Sequence, residues 1–118
     1  MDERFVRNIF YYNNYYLDFF GELRPEVKKK FNWTLKLIAM IDRVPVKYFR
    51  YMEGSTGIFE IRVENGSDIY RVFSFLDKGK LVILINGFQK KSQKTPKKEI
   101  EQAEKLKKQY FDEKGKKQ

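Results

Sequence analysis

Apolar residues recur at three- and four-residue steps through "RPEVKKKFNWTLKLIAMID", at Val27, Phe31, Leu35, Ile38 and Ile41. That spacing predicts an amphipathic helix, opened by Pro25 at a first-turn position where a missing N–H is tolerated. Before it, "YYLDFFGEL" predicts a short helix capped by Asn13 or Asn14 and ended near Gly21. The two helices form an antiparallel hairpin. Further upstream, the aromatic and β-branched run "RFVRNIFYY" (4–12) predicts a strand. Residues 42–57 contain Pro45, Gly54 and Gly57 and keep no steady period, which predicts a loop with room for one helical turn.

The pattern then changes to strands. "IFEIRVE" and "DIYRVFSFL" flank "NGS", and "KLVILINGF" follows "DKG", so a β-meander is expected. "TPKKEIEQAEKLKKQYF" predicts a closing helix. Thr95 is its N-cap, Pro96 its first residue, and Ile100, Ala103, Leu106 and Tyr110 its apolar stripe. "DEKGKKQ" reads as a frayed, disordered tail. The predicted order is β-α-α-β-β-β-α. This is an α+β fold with two N-terminal helices packed on one face of a four-stranded, mostly antiparallel sheet. One domain spans 1–111, followed by a basic tail over 112–118. The other sheet face is expected to be partly open, and a ligand would lie there.

The chain has 118 residues, no cysteine and no histidine. Disulfides, zinc sites of Cys/His type, Ser-His-Asp triads and histidine pairs are therefore all excluded. An enzyme built from this chain must move protons with Lys, Arg, Tyr, Glu or Asp, or work mainly by electrostatic stabilisation. No metal or other cofactor is expected. The longest apolar runs, "LIAMI" and "LVILI", have five residues each, against the roughly 20 of a membrane span. "MDERFVRN" lacks the apolar stretch of a signal peptide. A cytoplasmic protein with no membrane partner is expected.

Charge sharpens this picture. The net charge is +9, and the segment from Asn86 onward holds eleven lysines against five acids. Such an asymmetric basic chain favours encounter with polyanions, and nucleic acid is the expected partner class. "NGFQKKSQKTPKKEI" (86–100) leaves an apolar strand directly for a lysine-dense turn with Glu99 as its only acid. Either this is a solvated connection, or the strand end holds lysines toward phosphate.

Register decides what the strand arginines do. With Gly66-Ser67 at the centre of the first hairpin, Arg62 and Arg71 oppose each other on one face. Like charges so placed repel, unless they share an anion such as phosphate. With Asn65-Gly66 at the centre, Arg71 instead faces Glu60 in a cross-strand salt bridge. Taking Lys78-Gly79 as the second turn centre puts Arg71 opposite Asn86. Arg62, Arg71 and the lysines at 90, 91 and 94 then meet in one positive concavity. Phe73 and Phe75 share the Arg71 face, where either could stack on a base or lie under the sheet. The aromatic-rich "NIFYYNNYYLDFF" is assigned mainly to core by the helical spacing of Tyr16, Phe19 and Phe20.

These segments carry a family resemblance. "GIFEIRV" resembles the Leu/Ile-x-Glu-Leu-Arg strand of RelE/ParE-superfamily toxins of bacterial type II toxin–antitoxin systems. "DIYRVFSFLDKGKLVILINGF" resembles their Tyr-Arg-Val strand, turn and last strand. "FQKKSQKTPKKEIEQAEKLKKQY" is similar to the lysine-rich turn and closing helix of the HigB-like, phage-derived branch. The resemblance covers about residues 4–111 and is most specific over 57–110. It implies a RelE-like fold and a ribosome-dependent mRNA endoribonuclease that inhibits translation. In that chemistry the substrate's own 2′-hydroxyl attacks the adjacent phosphate, without a metal. It further implies catalytic roles for Arg62, Arg71, Lys90 and Lys91, with Lys94 in the same basic turn; RNA contacts are expected from Lys94, Lys97, Lys98 and Phe73. The implied partners are mRNA in the ribosomal A site, ribosomal RNA, and a helix-turn-helix antitoxin resembling HigA. Two alternatives are a ParE-like inhibitor of DNA gyrase and a non-catalytic basic nucleic-acid-binding protein. The latter follows if Arg71 pairs with Glu60 and the concavity never forms.

Overall fold

The computed structural model describes residues 5–90 and 97–116. Its elements are β1 (Asn8–Tyr11), α1 (Tyr15–Gly21), α2 (Pro25–Met40), β2 (Phe49–Tyr51), β3 (Phe59–Asn65), β4 (Asp68–Asp77), β5 (Leu81–Lys90) and α3 (Lys97–Lys116). The fold is α+β, as the periodicity predicts, but among the described residues the sheet has five strands rather than four, in the order β1-β5-β4-β3-β2. The additional strand is β2, three residues inside the stretch expected to be a loop. It pairs antiparallel with β3 through Phe49↔Ile61, Arg50↔Glu60 and Tyr51↔Phe59. Three residues at a sheet edge are too few to impress a period on the sequence. β1 pairs parallel with β5, and α1 and α2 provide the crossover between β1 and the meander.

α1 and α2 cover one face of the sheet. Val27, Phe31 and Ile38 of α2 are fully buried, and with Tyr16 of α1 they pack on Ile61, Val63, Val72, Val82 and Leu84. Ile41 is not part of this stripe. The helix stops at Met40, and Ile41 is extended (φ −103°, ψ 130°) and 41% exposed.

The opposite face is not open along its whole length. α3 lies on it, burying Ala103 and Leu106 against Phe73, Phe75, Ile83 and Ile85. Its last turns are anchored by polar bonds. Tyr110 Oη and Lys114 Nζ donate to the buried Asp77 carboxylate at 2.8 and 2.6 Å, and Tyr12 Oη donates to Glu113 at 2.7 Å. Residues 112–116 are thus the end of a docked helix, where a disordered tail was expected. Thr95 and Pro96, expected to begin α3, lie outside the described residues.

Both hairpin registers bear on the site. In the first, Asn65↔Asp68 leaves Gly66-Ser67 as the turn, with Gly66 at φ +62°, and Arg62 stands opposite Arg71. The second differs from the expected register. Asp77↔Leu81 closes a three-residue loop in which Lys78 and Gly79 both have positive φ. A β-bulge then intervenes: Ser74 pairs with Leu84 and Val72 with Gly87, so Ile85 and Asn86 together oppose Phe73. Arg71 consequently faces Phe88, not Asn86. A bulge changes which face the following residues take. Ile83 and Ile85 point to the α3 face, and strict alternation would send Phe88 and Lys90 to the other. The extra residue returns them to the α3 face, the face of Arg71.

Gly87, just past the bulge, points at α1. A Cβ there would lie 2.5 Å from Phe19 Cδ2. Gly87→Ala is expected to displace that ring and to destabilise the fold by about 1–3 kcal/mol, the usual range for overpacking. Thermal unfolding checks this. An unchanged melting temperature would mean that Phe19 has space to yield.

Candidate functional site

Beyond the edge of α3, toward the β3–β4 turn, four cations among the described residues gather on the α3 face. Strand alternation and the bulge place Arg50 on β2, Arg62 on β3, Arg71 on β4 and Lys90 on β5, so that each strand from β2 to β5 supplies one. Glu60 lies among them. It is 1% exposed and Arg71 2%, and the two form a buried ion pair. The other Glu60 oxygen meets Arg50 Nη2 at 3.4 Å. Arg62 reaches the exposed Glu64 at 2.8 Å, while its Nε is buried without a hydrogen-bond acceptor among the described residues. An orphaned buried donor of this kind is rare in a folded domain.

Both readings of the first hairpin are therefore partly realised. Arg62 and Arg71 are directly opposed, and Arg71 still pairs with Glu60, diagonally across the strands rather than face to face. The carboxylate offsets the repulsion that two opposed guanidinium groups would otherwise create.

The surroundings alter the cations. Burial lowers the pKa of Arg71, against the pull of Glu60, and Arg62 and Arg50 lower it further. Burial also lowers the Lys90 ammonium below the ordinary lysine value; Arg71, Arg62 and Arg50 add to this and Glu60 opposes it. A lysine so shifted gives up its proton more readily. The sign of each neighbour can be checked. Arg71→Ala removes a positive charge and should raise the Lys90 pKa, whereas Glu60→Gln removes a negative one and should lower it. NMR titration of the labelled ammonium reads both. Equal values in the two variants would place Lys90 outside the cluster.

The remaining sequence-predicted residues divide clearly. Lys97 and Lys98 are exposed at the start of α3 and can extend the basic rim. Lys91 and Lys94 lie outside the described residues. Phe73 is fully buried, in edge contact with Phe88 and beneath α3, so it has no face to offer a base. The half-buried Phe88, directly opposite Arg71, is the ring placed for that role. Sequence reasoning missed Phe88 because the bulge reverses its face. Arg50 gives no signal because β2, three residues long, is indistinguishable from loop in the sequence.

Among the described residues, no group of three or more His, Cys, Asp or Glu is placed to hold a metal ion, and no helix is long and apolar enough to cross a membrane.

The sequence model of the phage-derived protein Gp49-like family matches residues 18–108, which include every residue of the cluster. The chain belongs to the Gp49-like family. That family is associated with RelE/HigB-like toxins of toxin–antitoxin systems, and an antitoxin is the partner such membership implies. No curated protein matches the chain.

Proposed function

We propose that the chain is a toxin that cleaves mRNA on the ribosome, by attack of the substrate 2′-hydroxyl on the neighbouring phosphate. The observation that carries this reading is the convergence of Arg62, Arg71 and Lys90, from three strands, on one small surface. The 2′ oxygen bonds to phosphorus, its proton passes to solvent, and the bond to the 5′ oxygen breaks. The products are a 2′,3′-cyclic phosphate and a free 5′-hydroxyl. Arg71 offsets the charge that builds on the phosphoryl oxygens. Arg62, whose side chain is partly exposed, and Arg50 at the rim hold the phosphate in place. Lys90 protonates the departing 5′ oxygen. Glu60 is a positioning residue, since each of its oxygens faces a guanidinium. Phe88, Lys97 and Lys98 contact the flanking RNA, Lys94 adds to RNA affinity, and Lys91 shares the catalytic role of Lys90. In this reading mRNA in the A site and ribosomal RNA are the macromolecular partners, and a helix-turn-helix antitoxin is the neutralising one.

A second reading has an observation in its favour. The Arg71–Glu60 pair is the arrangement expected of a non-catalytic nucleic-acid-binding domain, in which cations serve affinity alone. Product chemistry separates the two. Purified protein is added to in-vitro translation of a defined mRNA, and new 5′ ends are mapped by primer extension. Cuts within codons that require ribosomes support the nuclease. Intact mRNA with translation still blocked points to the binding domain, and unaffected translation removes both.

A further inference from the structure

A second basic and aromatic surface lies around the β3 edge from the cluster. β2 ends its pairing at Ile61, and past it a cleft of about 420 Å³ opens between α2 and β3, within the range of about 300–1,000 Å³ of small-ligand sites. Its aromatic wall is Trp33, 54% exposed, in edge contact with Tyr48 at 5.5 Å. Its cations are Lys30, Lys47 and Arg62, with Lys47 Nζ 5.0 Å above the Tyr48 ring. The acid lining it, Glu64, is already bonded to Arg62. The cleft therefore presents net positive charge beside an open indole.

We infer that this cleft binds a single-stranded nucleotide flanking the cleaved phosphate, with the base stacked on Trp33 and its phosphate held by Lys30 and Lys47. Three features favour nucleic acid. Aromatic rings interleaved with lysines suit an unpaired base, because every base has a π-face and every linkage a phosphate. Arg62 belongs to both surfaces, so a strand leaving the cluster reaches the cleft without crossing neutral ground. The free edge of β3 is also poorly suited to an added peptide strand, because Lys30 Nζ already donates to the Glu64 carbonyl at 3.0 Å. The inference rests on the proposed nuclease reading for the identity of the strand.

Trp33 is the only tryptophan in the chain, so its fluorescence reports this cleft alone. The probe is a 2′-O-methyl hexanucleotide, which has no attacking hydroxyl and survives whether or not the protein cleaves RNA. Saturable quenching is expected with it, and none with an abasic hexamer carrying the same phosphates. With a labelled hexamer read by anisotropy, Trp33→Ala should weaken binding about tenfold. Lys30→Ala and Lys47→Ala should each reduce the salt slope by about 0.7. Circular dichroism confirms that these surface variants fold. No quenching, or equal quenching by the abasic strand, overturns the inference. Stronger quenching by a decaglutamate peptide also overturns it, since the cleft would then be a seat for an acidic protein segment. Quenching without ribosomal cleavage would keep the cleft and remove the nuclease; cleavage without quenching would do the reverse.

Discussion

Arg71→Ala is expected to abolish mRNA cleavage, lowering the rate by about 100- to 1,000-fold, the usual effect of removing one preorganised charge-stabilising group. The same substitution has a structural effect that must be separated from the chemical one. Arg71 and Glu60 are both almost wholly buried. Removing one partner of a buried pair costs about 3–5 kcal/mol, because the other charge stays behind in a poor solvent. That is a large part of the roughly 5–15 kcal/mol that holds a domain together. Arg71→Ala should therefore melt early as well as fail to cleave. The double variant Arg71→Ala/Glu60→Ala removes both charges. It should recover much of the lost stability and none of the activity. Thermal unfolding and ribosomal cleavage, measured on both single variants and the double, close a cycle that isolates the coupling. A double variant that cleaves would assign Arg71 to the fold and not to the reaction.

That pair also shows how far the sequence could be read. The α2 helix was legible because Val27, Phe31 and Ile38 keep one period over about three turns and all end fully buried. The meander was legible because its turn residues separate runs rich in β-branched and aromatic side chains. The register of the first hairpin stayed open between two centres, since Asn65-Gly66 and Gly66-Ser67 are both acceptable turns. Only the paired strands decide it, and they place Arg62 against Arg71.

The second hairpin departs from the register its turn residues predict for a physical reason. A bulge leaves no mark on composition, yet it carries Phe88 and Lys90 to the face opposite the one that alternation gives them. The error in Phe73 has the same origin in tertiary structure. It shares a face with Arg71, as alternation predicts, but α3 covers one half of that face and leaves the other. Strand patterning says which side a residue takes, not what lies above it. Arg50 shows the converse. A cation in an apparent loop becomes a member of the site because a three-residue edge strand sets it opposite Glu60.

Lys90→Ala should reduce cleavage by about 100- to 10,000-fold, the contribution of a positioned general acid. A smaller basic group at the phosphate would also be missed, so the loss alone does not assign the role. The leaving group does. An alkoxide departs poorly without a proton, whereas a thiolate, the conjugate base of a thiol with a pKa of about 8.5, departs without one. An mRNA with sulfur in place of the bridging 5′ oxygen at the cut should therefore be cleaved almost equally by the wild type and by Lys90→Ala. Arg71→Ala should stay inactive on it, because the phosphoryl charge is unchanged. The alkaline limb offers a second check. As pH rises through the lowered Lys90 pKa, the ammonium is lost, and cleavage of the oxygen substrate should fall earlier than an ordinary lysine would dictate. The sulfur substrate should lack that limb. If Lys90→Ala is as slow on sulfur as on oxygen, Lys90 holds the phosphate and donates no proton. The depressed pKa would then be only a consequence of burial, with three arginines crowded beside it.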